Sequence, residues 1–170
     1  MLKKLHHVAY RCKDAKQTVE FYTKMLDLKY NASVTNDRVP STQEFYPHLH
    51  VFFEMEDGSY IAFFETPTAP EMSPRDGNTP EWVQHLALEV ADVKTMLAGK
   101  ERLEKAGHKV LGPIDHGFCQ SIYFFDPSGH RLELTAPCWR EGEKEEHAKE
   151  AGPALAAWEK KKREQGWVKN

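Results

Sequence analysis

Leu5-His6-His7-Val8-Ala9-Tyr10-Arg11-Cys12-Lys13-Asp14 returns later in the chain as Val83-Gln84-His85-Leu86-Ala87-Leu88-Glu89-Val90-Ala91-Asp92. In both copies an apolar residue stands two before a histidine, an alanine two after it and an aspartate seven after it. His7 and His85 are 78 residues apart. The stretches downstream of the two copies agree as well, so the short match reads as an internal repeat.

After Asp14 the pattern turns helical. Val19, Tyr22 and Leu26 recur at three- and four-residue spacing, Phe21 and Met25 widen the stripe, and Lys16, Glu20 and Lys24 face away. Asp14 is a good N-cap with Gln17 at the capping-box position. After Asp92 a second helix is predicted with Val93, Met96, Leu97 and Leu103 inward, ending at Ala106-Gly107. Strand-like stretches come after each helix: Leu28 to Thr35, His50 to Met55 and Tyr60 to Glu65, then Lys109 to Leu111, Gln120 to Phe125 and Arg131 to Ala136. Asp57-Gly58, Gly112-Pro113 and Ser128-Gly129 supply turns between them.

Each half therefore reads β-α-β-β-β. The predicted fold class is α+β, with two such modules forming a curved mixed sheet, a cup, with helices on its outer face and a charged C-terminal helical tail. Residues 1–67 make the first module, 68–80 a linker, 81–137 the second module and 138–170 the extension. The linker region is marked by Pro67, Pro70, Pro74, Gly77 and Pro80. In the extension, Arg140 to Glu150 is almost wholly charged. A short helix is predicted after it, starting at Pro153 and closed by Gly166, with Leu155 and Trp158 docked on the domain. A lid or a dimer-clasping arm is the alternative.

Composition narrows the function classes. The chain has 170 residues, 40% of them apolar, and a formal charge of -3. No sign dominates, which argues against nucleic acid or an anionic membrane as partner. The longest apolar run, Tyr60 to Phe64, is far short of the roughly 20 residues that span a bilayer. The start, Met1-Leu2-Lys3-Lys4-Leu5, carries no apolar signal core. Cys12, Cys119 and Cys138 are odd in number and widely spaced, neither a disulfide framework nor a metal clip. A cytoplasmic protein with free thiols is the expectation.

Strand alternation turns the repeat into chemistry. Val8, Tyr10 and Cys12 pack on one side while His7, Ala9 and Arg11 face the other. Leu86, Leu88 and Val90 pack, and His85, Ala87 and Glu89 face away. In the last strand Leu132 and Leu134 pack, leaving Arg131, Glu133 and Thr135 on the opposite face. Two half-sheets of this kind would form a cup with a polar, ligand-rich floor. Two neutral imidazoles and one carboxylate suit a divalent transition metal with open positions for substrate.

The chain resembles the vicinal oxygen chelate superfamily, which includes glyoxalase I, fosfomycin resistance proteins, bleomycin resistance proteins and extradiol ring-cleaving dioxygenases. The resemblance covers about residues 3 to 137. It implies paired β-α-β-β-β modules with the metal held by first and last strands, and it places the ligands at His7, His85 and Glu133. His6 is one residue off and points toward the helix side or the edge.

The stretch Ile114-Asp115-His116-Gly117-Phe118-Cys119-Gln120-Ser121-Ile122-Tyr123-Phe124-Phe125-Asp126-Pro127-Ser128-Gly129-His130-Arg131-Leu132-Glu133 resembles the extradiol dioxygenase signature. The shared features are its histidine, Ile-Tyr, Asp-Pro-x-Gly turn and closing glutamate. By that resemblance His116 and Tyr123 lie beside the metal and hydrogen-bond substrate or bound oxygen. Fe(II) is the implied cofactor, with Mn(II), Zn(II) or Ni(II) as alternatives. A small molecule, an aromatic diol, is the implied substrate, and a homodimer the implied assembly. Phe63, Phe64, Phe118, Phe125 and Trp139 are candidates for the apolar wall.

The chain departs from that pattern. Dioxygenases of this type carry a catalytic histidine on the last strand of the module before the second metal histidine. Ser59 to Glu65 holds none, and His48 and His50 lie one strand earlier. Glyoxalase-type isomerisation needs a fourth ligand at the position equivalent to Glu133. That position maps to Ala62 or Phe63, neither acidic, with Glu65 nearby. No basic cluster for a phosphonate is evident. The alternatives are thus an isomerase- or lyase-type metalloenzyme on a small oxygenated substrate, or a non-catalytic ligand-sequestering protein.

Overall fold

The computed structural model describes residues 1–73 and 77–167. Pro74 of the expected linker and the last three residues of the tail lie outside the described residues. The first module runs β1 (His7–Cys12), α1 (Ala15–Lys24), β2 (Lys29–Arg38), β3 (Phe45–Glu54) and β4 (Tyr60–Glu65). The second runs β5 (Leu86–Glu89), α2 (Val93–Lys105), β6 (Leu111–Asp115), β7 (Cys119–Phe125) and β8 (Arg131–Pro137), and α3 (Glu143–Glu164) comes last. The strands form two four-stranded mixed sheets of the same order, β1-β4-β3-β2 and β5-β8-β7-β6. In each, the first strand, which begins at His7 in one and just after His85 in the other, pairs parallel with the last and lies at the sheet edge. The α+β class and the doubled module read from the repeat are those of the folded chain.

Local chemistry starts the helices where expected. The side chain of Asp14 accepts from the Gln17 amide at 2.7 Å, and that of Asp92 accepts from Thr95 at 2.7 Å. In α1, Phe21 and Tyr22 are buried, with Tyr22 packed on Phe53 and Phe63. Burying each such ring contributes about 1.5–3 kcal/mol. In α2 the buried stripe is Met96, Gly99 and Leu103, so Leu97, expected inward, is 43% exposed. Its position lies one residue off the three-plus-four spacing that faces the sheet. Gly99 lets α2 pack closely on β8, since a Cβ there would meet Leu134 Cδ1 at 3.0 Å.

Both modules feed one continuous core, from Cys12, Tyr22 and Phe63 to Met96, Phe124 and Leu134. Polar bonds tie them as well. The Tyr22 hydroxyl donates to Asp126 Oδ2 at 3.1 Å, and the Lys13 amide donates to Ser128 Oγ at 3.0 Å. His130 Nε2 lies 2.7 Å from the Arg11 carbonyl and donates to it. The Asp-Pro-x-Gly turn is therefore a brace between modules.

Three boundaries differ from the sequence reading. The β2–β3 hairpin is longer, because the polar residues up to Arg38 still pair, with Arg38 opposite Phe45. Gly112-Pro113 is a bulge inside β6, not the turn that ends a Lys109–Leu111 strand, with Leu111 opposite Tyr123 and Ile114 opposite Ser121. Gly112 has φ +105, and a Cβ there would meet the Ser121 carbonyl at 2.6 Å. Helix α3 begins at Glu143 rather than Pro153, which sits inside it. Glu143, Glu145 and Glu146 suit the positive end of a helix, so the charge run is helix-forming. Leu155 and Trp158 are 62% and 49% exposed rather than docked, and Trp158 lies against Trp167 at 5.9 Å.

Candidate metal centre

Parallel pairing of β5 with β8 sets Ala87 opposite Glu133, and antiparallel pairing of β7 with β8 sets Tyr123 opposite the same glutamate. His85, one residue before β5, shares their face. Its Nε2 lies 2.9 Å from Glu133 Oε2. Glu133 is 6% exposed, whereas the His85 side chain keeps 30%. Tyr123 stands edge-on to His85 at 5.9 Å, and its hydroxyl is 2.9 Å from His116 Nε2. The Arg131 guanidinium lies 4.5 Å above the Tyr123 ring. On the next rung Ser121 Oγ donates to Thr135 Oγ1 at 3.2 Å. Burial, then the Glu133 carboxylate beside it, raises the Tyr123 phenol above its ordinary pKa. The phenol thus keeps its proton at neutral pH.

The other histidine-bearing face is different in character. His7 has its Nδ1 2.8 Å from His6 Nδ1, which leaves its Nε2 for another partner. His6, expected at the edge, is exposed and acts as this companion. Around His7 stand His50 and Phe52, at 6.4 and 6.2 Å between ring centroids. His50 is stacked on Phe64 at 3.6 Å. Burial, with His7 and His48 nearby, pushes the His50 imidazole below its ordinary pKa. This face is an aromatic wall, and that of β5–β8 a polar floor.

Of the residues singled out in the sequence, the structure brings His85, Glu133, Tyr123 and His116 together. Within one chain His7 does not join them, since no three His, Cys, Asp or Glu side chains among the described residues gather closely enough to hold a metal. The ladders also settle the equivalent of Glu133. Ala9 pairs with Ala62 as Ala87 pairs with Glu133, so Ala62 occupies that place in the first module. Glu65 instead accepts from the Ala15 amide at 3.1 Å, at the start of α1. Phe63, a wall candidate by sequence, is fully buried in the core because its strand parity is that of Ile61. Phe118 and Trp139 stack on each other at 4.6 Å, with His147 of α3 edge-on to both. Phe125 shares the Tyr123 face. Sequence alternation sets Arg131 on the Glu133 face but gives it no role, and it sets His6 aside in favour of His7.

Nε2 of His85 and Oε2 of Glu133 are spaced as two donors to one divalent cation, and among the described residues no third His, Cys, Asp or Glu side chain of the same chain completes the set. Metal bonds of roughly 2.1 Å at right angles separate two ligand atoms by about 3 Å, as Nε2 of His85 and Oε2 of Glu133 are separated. Residues 4–134 match the Glyoxalase/Bleomycin resistance protein/Dioxygenase superfamily. The chain belongs to this superfamily. A curated protein of Bacillus subtilis (strain 168), named "Putative ring-cleaving dioxygenase MhqA", is 28% identical over 135 residues, which are 78% of this chain. The chain spans 40% of that relative's length. A glyoxylase/bleomycin resistance protein/dioxygenase domain from Frankia sp. EAN1pec superposes with TM-score 0.66 at 20% identity, over 85% of this chain and 99% of that one. The fosfomycin resistance protein FosX of Listeria monocytogenes, complexed with Mn(II) and sulfate, superposes with TM-score 0.57 at 21% identity, over 85% and 98%. These superpositions show the shared superfamily fold. No described helix is long and apolar enough to cross a membrane.

Proposed function

We propose that this superfamily member is a metal-dependent, extradiol-dioxygenase-like enzyme that opens a catechol-type ring with O2. His7, His85 and Glu133 would hold a divalent metal, Fe(II) in the first instance. The observation carrying this reading is the His85–Glu133 pair at 2.9 Å with the hydrogen-bonded Tyr123–His116 pair on the same floor. Named ring-cleaving chemistry in the 28% identical relative agrees with it.

His7 is supplied by a second copy. Both β1 and β5 are edge strands, each hydrogen-bonded on one side only within its sheet. Such edges are natural places for two chains to meet. A homodimer that sets β1 of one copy beside β5 of the other closes the aromatic wall over the polar floor.

When bound, the metal supplies Lewis acidity toward the two substrate oxygens and an electron path to O2. The protein's part is positioning and proton movement. Phe64, Phe52 and His50 offer ring faces to a planar substrate. Tyr123, protonated at neutral pH, donates a hydrogen bond, and His116 Nε2 is placed to share its proton at 2.9 Å. That pair serves as acid and base for the ring oxygens. A glyoxalase-type centre is disfavoured because Ala62 stands where a fourth ligand would be.

The test is oxygen uptake with a catechol panel after anaerobic Fe(II) loading, alongside metal analysis of protein purified without chelator. Uptake with one or more catechols supports the reading, and none with any catechol removes it.

A further inference from the structure

A cavity of about 430 Å³ is lined by residues of both modules, among them the candidate ligand His85. Arg131 lines it too, with Gln84, His130 and the tyrosines Tyr10 and Tyr22. Two of these groups are already committed: the Tyr22 hydroxyl donates to Asp126, and His130 Nε2 donates to the Arg11 carbonyl. Arg131 is the cation of the set. Among the described residues it forms no ion pair with a carboxylate, and its guanidinium is held over the Tyr123 ring. Two acidic residues close to it in sequence have other partners. Glu133 faces His85, and Asp126 accepts from the Ser128 and His130 amides at 2.9 and 2.8 Å.

Register joins this cavity to the candidate metal centre. Leu86 pairs with Leu132, which sets His85 beside Arg131, one rung before Ala87 and Glu133. Along β8, Arg131 and Glu133 share a face two residues apart, about 6.6 Å. That is the scale of one six-membered ring with its substituent. A guanidinium presents a planar donor fork that matches a carboxylate, and a partly desolvated cation gains most from an anion. Gln84 and Tyr10, which can offer neutral donors, also line the cavity.

We propose that Arg131 and this cavity form a subsite for an anionic substituent, a carboxylate, on the substrate whose oxygens are held at His85 and Glu133. The second half of that statement rests on the proposed function, whereas the subsite itself does not. Arg131 is then a specificity-determining residue.

The experiment has two arms, with Arg131→Met and Arg131→Lys as variants and circular dichroism verifying their folds. In the first, calorimetry reads benzoate and benzamide binding to the metal-free full chain, so neither a diol nor a metal contributes. Wild type is expected to favour benzoate by about tenfold. Arg131→Met should lose that preference and Arg131→Lys should keep most of it. In the second, 3,4-dihydroxybenzoate and catechol are compared on Mn(II)-loaded protein, and the preference for the carboxylate should again depend on Arg131. Equal benzoate and benzamide affinity in wild type, or an equal ratio in wild type and Arg131→Met, overturns the subsite. A benzoate preference that depends on Arg131, with no binding of either diol, upholds the subsite and sinks the diol chemistry. Tight binding of both diols at equal affinity does the reverse.

Discussion

Nε2 of His85 lies 2.9 Å from Oε2 of Glu133, an approach created by the parallel pairing of β5 with β8 rather than by any nearness in the chain. A carboxylate so buried gains from a cation in that gap. Glu133→Ala should therefore lower metal affinity by at least about tenfold while the domain stays folded. Metal content by mass spectrometry, read beside a thermal melt, checks both halves.

Under the proposed function, Tyr123 and His116 would act after the metal is in place. Tyr123→Phe should keep wild-type metal stoichiometry yet lower kcat for a ring-cleaved catechol by about 100-fold. Equal loss of metal and rate would make Tyr123 a structural support of Glu133 instead.

The hydroxyl of Tyr22 is the buried polar tie between the modules, donating to Asp126 Oδ2. Tyr22→Phe removes one donor from a mostly buried carboxylate and should cost about 1–3 kcal/mol. Urea denaturation measures it, and a change below experimental error would mean that the Tyr22–Asp126 bond adds nothing to the joining of the modules.

Burial raises the Asp126 carboxyl above its ordinary value, against the opposing pull of His130 and of the amides that bond it. From the ordinary carboxylate value, about 3.9, up to that raised value, the folded chain holds a proton that the unfolded chain has released. Stability from this group thus falls as pH rises through the window and is flat above it. Referred to Asp126→Asn at each pH, wild type should lose stability from about pH 4 upward. A rise over the same range would contradict the assignment.

The side chains that face the floor are legible in the chain. Alternation in Leu86-Ala87-Leu88 and Leu132-Glu133-Leu134 names them, since period two admits only two choices. The equivalence of Ala62 with Glu133 is not legible. The sequence leaves Ala62 and Phe63 both open, and the hydrogen-bond ladder decides between them. The start of helix α3 escapes sequence reading because a run of glutamates and lysines has no apolar period, though those residues favour helices. The absence of His7 from the His85–Glu133 pair within one chain is hidden too. Module packing depends on contacts such as Phe21 with Phe124, which no local pattern announces.

The central claim is that one ion is held by His7 of one copy with His85 and Glu133 of another. The direct measurement pairs two inactive variants. His7→Ala and Glu133→Ala, each expected to bind no metal alone, are co-expressed with different tags, and the mixed dimer is isolated through both. One ion per mixed dimer is predicted, because one of its two sites regains all three ligands. A mixed dimer that binds no metal would contradict the shared centre.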